Sequence, residues 1–72
     1  MLQVQLDILG MSKHYNVSFI REKMLTLKGV ISSDIFLKHK KVKITYNPDV
    51  ITLNKIINTI EEEGYAVIHV KR

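Results

Sequence analysis

The chain has 72 residues and no cysteine, with eleven basic and seven acidic side chains giving a formal charge of +4. That length fits one small domain, residues 1–72, which buries about 60% of its extended surface on folding. Apolar residues at 46% and charged residues at 25% mark a folded rather than a disordered chain. The missing cysteines exclude disulfides, zinc–thiolate knuckles, iron–sulfur ligation and cysteine nucleophiles. Residues 1–10 carry no basic leader segment, and no apolar run approaches the roughly 20 residues that cross a bilayer. The expectation is a protein without direct membrane insertion, cytoplasmic or a cytosolic domain of a larger membrane protein. The net charge permits acidic partners without requiring them.

Leu2, Val4, Leu6 and Ile8 alternate with Gln3, Gln5, Asp7 and Leu9, which predicts a strand ended by Gly10. Val17, Ile20, Met24 and Leu27 recur at helical spacing and predict a helix over about 14–27, closed by Lys28-Gly29. Ser12 is its candidate cap, without the glutamate that would complete a capping box. Ile31, Ser33, Ile35 and Leu37 form one face of a second strand, and Val42, Ile44 and Tyr46 one face of a third. His39 and Lys40 separate them as a hairpin turn, and Lys41 and Lys43 mark a wet face. Tyr46-Asn47-Pro48-Asp49 reads as a turn. Thr52 caps a second helix whose stripe is Leu53, Ile56, Ile57 and Ile60. Glu61, Glu62 and Glu63 oppose the dipole at its end, so a local cation is expected to compensate. A last strand covers Tyr65 to Val70.

This order, with right-handed crossovers, predicts an α+β class: a ferredoxin-like βαββαβ sandwich, a four-stranded antiparallel sheet with two helices on one face. In that topology the loop Gly10–Asn16, the hairpin tip and the Gly64-Tyr65 turn share one end. Lys13, His14, Lys38, His39, Lys40 and Lys41 then form a basic rim. The three glutamates are expected to neutralise it in part, and His69 is expected at the opposite end. Asp7, Asp34 and Asp49 come from separate elements and Glu61–Glu63 lack a metal partner, so no catalytic residues and no cofactor are expected. The sheet lacks the aromatic pattern of RNA-binding domains of this topology, and nucleic acid is not an expected partner.

Gly10-Met11-Ser12, followed by Val17, Ile20 and Lys28-Gly29-Val30, resembles the heavy-metal-associated domain family of copper chaperones, mercury-binding proteins and metal-pumping P-type ATPase tails. Val42, Ile44, Tyr46, Pro48, Thr52, Ile56, Ile57, Ile60, Glu61, Gly64 and Tyr65 continue the pattern over nearly the whole chain. The family loop reads Gly-Met-x-Cys-x-x-Cys, and this chain has Lys13 and Asn16 at the two cysteine positions. The soft thiolates that select Cu(I), mercury or cadmium are therefore missing, and Lys13 would repel an incoming cation. Met11 is expected to pack beneath the loop, and Tyr65, at the aromatic position near the family's metal, to cover the core. His14 and His39, with Met11, are the remaining candidates for a weak site of another kind.

The resemblance implies a monomeric domain of a metal-transport or chaperone system whose remaining role is docking or regulation, towards a metal-pumping ATPase or a cysteine-bearing sister domain. The candidate docking residues are Lys13, His14, Lys38, His39, Lys40, Lys41 and Tyr65. The alternative is a protein-interaction module with no role in metal handling.

Overall fold

The computed structural model describes all 72 residues. The elements in chain order are β1 (Leu2–Leu9), α1 (His14–Thr26), β2 (Val30–Phe36), β3 (Lys41–Tyr46), α2 (Leu53–Glu62) and β4 (Ala66–Lys71). The strands form one sheet in the order β2-β3-β1-β4, and every neighbouring pair is antiparallel. This is the ferredoxin-like βαββαβ arrangement. Period-two alternation gives the sheet its two faces. Val4, Leu6 and Ile8 of β1 and Val42, Ile44 and Tyr46 of β3 are buried. They meet Ile20 and Met24 of α1 and Ile56 and Ile60 of α2 in one core cluster. Each such aliphatic side chain contributes about 1.5–3 kcal/mol by leaving water. The buried residues are all apolar or tyrosine, and no buried side-chain nitrogen or oxygen lacks a partner. Chemistry is thus confined to the loops, the rim and the open face of the sheet.

The passage from α1 to β2 depends on Gly29, whose φ of +105° lies in the left-handed region. A Cβ there would stand 2.7 Å from Ile51 Cγ2, so any side chain would displace the segment entering α2. The Gly29 carbonyl accepts a hydrogen bond from the Asn47 amide at 2.8 Å, tying the two crossover regions together. Thr52 caps α2 as its sequence indicates, its Oγ1 accepting from the Lys55 amide at 3.1 Å.

The structure corrects several sequence expectations. Ile31 faces outward, because a register shift between Val30 and Ser32 reverses the phase, leaving Val30 with Ser33, Ile35 and Leu37 on the inner side. The hairpin loop is four residues, Leu37–Lys40, rather than two, and Lys40 takes the left-handed conformation that closes it. Ser12 does not cap α1; Lys13 occupies the cap position, and its side chain has no acceptor atom to offer. His69 is not at the far end. A bulge between Asp7 and Ile8 brings it into register with Asp7 on the open face. The acidic turn does not neutralise the basic rim. Glu63 pairs instead with Lys23 of α1 at 3.0 Å, and Lys41 of the rim pairs with Asp7 at 2.8 Å.

Candidate functional site

The loop between β1 and α1 starts at Gly10, whose φ is +99°. A Cβ there would come within 3.3 Å of the Tyr65 ring, so glycine lets the loop lie against that ring. Met11 turns inward and is 1% exposed, a core residue with its thioether shielded from solvent. Ser12 and Lys13 run extended over the surface, and α1 begins at His14.

Asn16, at one of the two positions where the family pattern has cysteine, fixes this loop. Its Oδ1 accepts hydrogen bonds from the Ser12 amide at 3.1 Å and the Lys13 amide at 2.9 Å. Its Nδ2 donates to the Tyr65 hydroxyl at 2.8 Å. Two backbone donors on one side of the carboxamide require its oxygen there, which leaves the nitrogen for Tyr65. The side chain supplies the returning half of a capping box, from the third helical residue to the cap backbone. It also joins the first loop to the start of β4. Both ends of the amide are committed, and the neighbouring Lys13 brings a positive charge.

The residues at this end separate into two groups. Lys13, His14, Lys38, His39 and Lys40 are exposed. Lys41 is half-buried with its ammonium bonded to Asp7, and Tyr65 is only 9% exposed. The Lys41 hydrogen bond and charge, aided by His69 and Lys71, hold the Asp7 carboxyl below its ordinary 3.8 despite a smaller opposing effect of desolvation. Nowhere in the chain do three histidine, cysteine, aspartate or glutamate side chains come together as a metal-binding group. Beside the loop, Tyr15, Ser18, Phe19, Glu22 and Tyr65 border an open groove of about 400 Å³.

Sequence reasoning missed the Asn16 brace. The available signal was a side-chain acceptor three residues past an extended cap position, followed far along the chain by a tyrosine at the closing turn. The exposed rings of Tyr15 and Phe19 also lay outside the apolar periodicity used to find α1.

The heavy-metal-associated domain profile matches residues 8–66, and the chain belongs to that family. Its relatives include Copper-transporting ATPase 2 of Rattus norvegicus, 34% identical over 59 residues. That match takes in 82% of this chain and 4% of the ATPase, so the chain spans only a small part of that relative. The copper chaperone CopZ of Staphylococcus aureus (strain JH9) is 28% identical over 68 residues, covering 94% of this chain and 100% of the chaperone. Among solved structures, the CopZ metallochaperone superposes with a TM-score of 0.89 at 27% identity, covering 93% of this chain and 100% of that one. The putative copper-ion-binding protein from Bacillus anthracis str. Ames gives 0.86 at 31% identity, with 97% and 94% covered. This chain is thus a family domain related to metal chaperones and transporters, without a cysteine-based metal site. No helix is long and apolar enough to cross a membrane.

Proposed function

We propose that residues 1–72 act as a single, monomeric, non-catalytic docking or regulatory domain that carries no soft metal. Its partner is a protein of a metal-transport system, such as a metal-pumping ATPase or a cysteine-bearing sister domain. The carrying observation is the Asn16 brace. A loop that family members use to hold an ion is held here by hydrogen bonds from one carboxamide, so its shape needs no cargo. Lys13 adds electrostatic opposition to a cation at the same place. The exposed Lys13, His14, Lys38, His39 and Lys40 give this end a positive surface suited to an acidic counterpart.

Two measurements test the proposal. In a Cu(I) competition with a chromogenic chelator, the parent should leave the chelator loaded, whereas the double variant Lys13→Cys, Asn16→Cys should withdraw copper. The second thiolate would lie in the first turn of α1, where the helix dipole favours it. In a metal-free titration of the isotope-labelled chain with an N-terminal domain of a copper-transporting ATPase, amide shifts should centre on residues 13–16 and 38–40. Tight copper uptake by the parent would overturn the cargo-free reading. An unchanged spectrum with the ATPase domain and with a sister chaperone would overturn docking.

A further inference from the structure

The open face of the sheet carries a second basic feature, separate from the loop end. Gln5 of β1 lies in register between Lys43 of β3 and Lys71 of β4. With Gln3, Val4 and Arg72 they line a shallow hollow of about 160 Å³. The lining holds three cations, two carboxamides and no acid. The chain's ion pairs are Lys23–Glu63 and Lys41–Asp7, which leaves Lys43, Lys71 and Arg72 without a carboxylate partner. Asp34 stands across from Lys43 on the side away from Gln5 and makes no ion pair with it. The nearer Asp7 carboxylate is engaged by Lys41.

Adjacent strands lie about 4.8 Å apart, so two lysines flanking a central strand start roughly 10 Å from one another. Their flexible stems can bring both ammonium groups onto one small anion over the intervening glutamine. Without an anion the like charges repel across the sheet face. A tetrahedral dianion offers acceptors for two ammonium groups, the planar Arg72 fork and the Gln5 amide together. We infer that this hollow binds a small phosphate-bearing anion, with Lys43, Lys71 and Arg72 supplying charge and Gln5 a neutral donor.

The test is an amide-detected titration of the labelled chain with inorganic phosphate and with pyrophosphate, sodium chloride holding ionic strength constant. Saturable shifts are expected at Gln3, Gln5, Lys43 and Lys71. Lys43→Gln and Lys71→Gln should each weaken binding about fivefold, the loss of roughly 1 kcal/mol of charge-assisted bonding. Lys28→Gln and Lys55→Gln, exposed charges elsewhere, should change it less than twofold, as expected for surface charges away from the contact. Equal weakening by all four variants, or shifts that never saturate, would overturn the site. Vesicles of phosphatidylcholine with and without phosphatidylserine, and a short single-stranded oligonucleotide, separate the sources of phosphate. Anionic vesicles that compete with bound phosphate support the same site taking a lipid headgroup. Binding to vesicles or oligonucleotide with none to free phosphate overturns the small-anion site.

Discussion

The two helices follow crossover loops of the same fold, yet their first turns are secured in opposite ways. α2 is capped from its own cap residue: Thr52 accepts the Lys55 amide three residues on. α1 has a cap residue with nothing to accept a bond, and Asn16 reaches backward to the Ser12 and Lys13 amides instead. The Thr52 cap is local, whereas Asn16 also reaches Tyr65, 49 residues further along the chain. A local cap stabilises a helix end and little else. A brace that also grips a distant tyrosine sets the shape of a loop. The difference therefore falls on the segment where the family pattern places its metal, and leaves the start of α2 an ordinary helix end.

The largest effect should come from the packing that both helices share. Ile56 is fully buried in the core cluster, and Ile56→Ala should cost about 2–5 kcal/mol. That approaches the whole stability of a small domain, so the measurement is a chemical-denaturation midpoint, with circular dichroism reporting whether the variant still folds. A loss under about 1 kcal/mol would mean that the site relaxes around the cavity and that the helix starts carry more of the stability than argued above.

Asn16→Ala should come next, at about 1–2 kcal/mol, since it strands the Tyr65 hydroxyl and frees two backbone amides that water can satisfy. The stronger readout is local. Hydrogen exchange at Ser12 and Lys13 should quicken, and the Tyr65 ring resonances should shift, while the start of α2 stays protected. Unchanged exchange at both amides would remove the brace, and with it the contrast between the two helices.

The sheet order and both helix stripes were legible because they follow from apolar period alone. Val4, Leu6, Ile8, Ile20, Met24, Ile56 and Ile60 were placed inside by spacing and are buried. What escaped was set by residues that break period. The outward turn of Ile31 and the placement of His69 beside Asp7 both come from bulges, and alternation carries no mark of an extra residue. At the loop, the absence of thiolates was readable residue by residue. The use made of Asn16 was not, because its partner Tyr65 is brought near only by the closed fold.

Thr52→Ala measures the other side of the comparison and should cost about 1 kcal/mol, the usual value of a helix cap. Its effect should stay within the first turn of α2, without change at Ser12, Lys13 or Tyr65. Combined with Asn16→Ala, the two losses should add, since the residues share no hydrogen-bond partner. A clear departure from additivity would show that the two helix starts are coupled through the sheet.

The smallest effect is an acid-dependent one, at the end of β1 that feeds the Asn16 loop. Lys41 donates a hydrogen bond to Asp7 at 2.8 Å and lowers the carboxyl below its ordinary 3.8 in the folded chain. A carboxylate favoured by folding adds stability above its unfolded value, and that stability is lost as pH falls through the lower folded value. Parent and Asp7→Asn should therefore differ most near neutral pH and converge below about pH 4, where Asp7 takes up its proton. Both groups of the pair are partly exposed, so the difference should be small and should shrink in high salt. Denaturation midpoints of the two proteins across that pH range provide the check. A gap that stays constant into strong acid would assign the effect of Asp7 to packing or to its strand pairing rather than to its charge. The acid sensitivity of this end of the sheet would then have to come from Glu63, through its bond to Lys23.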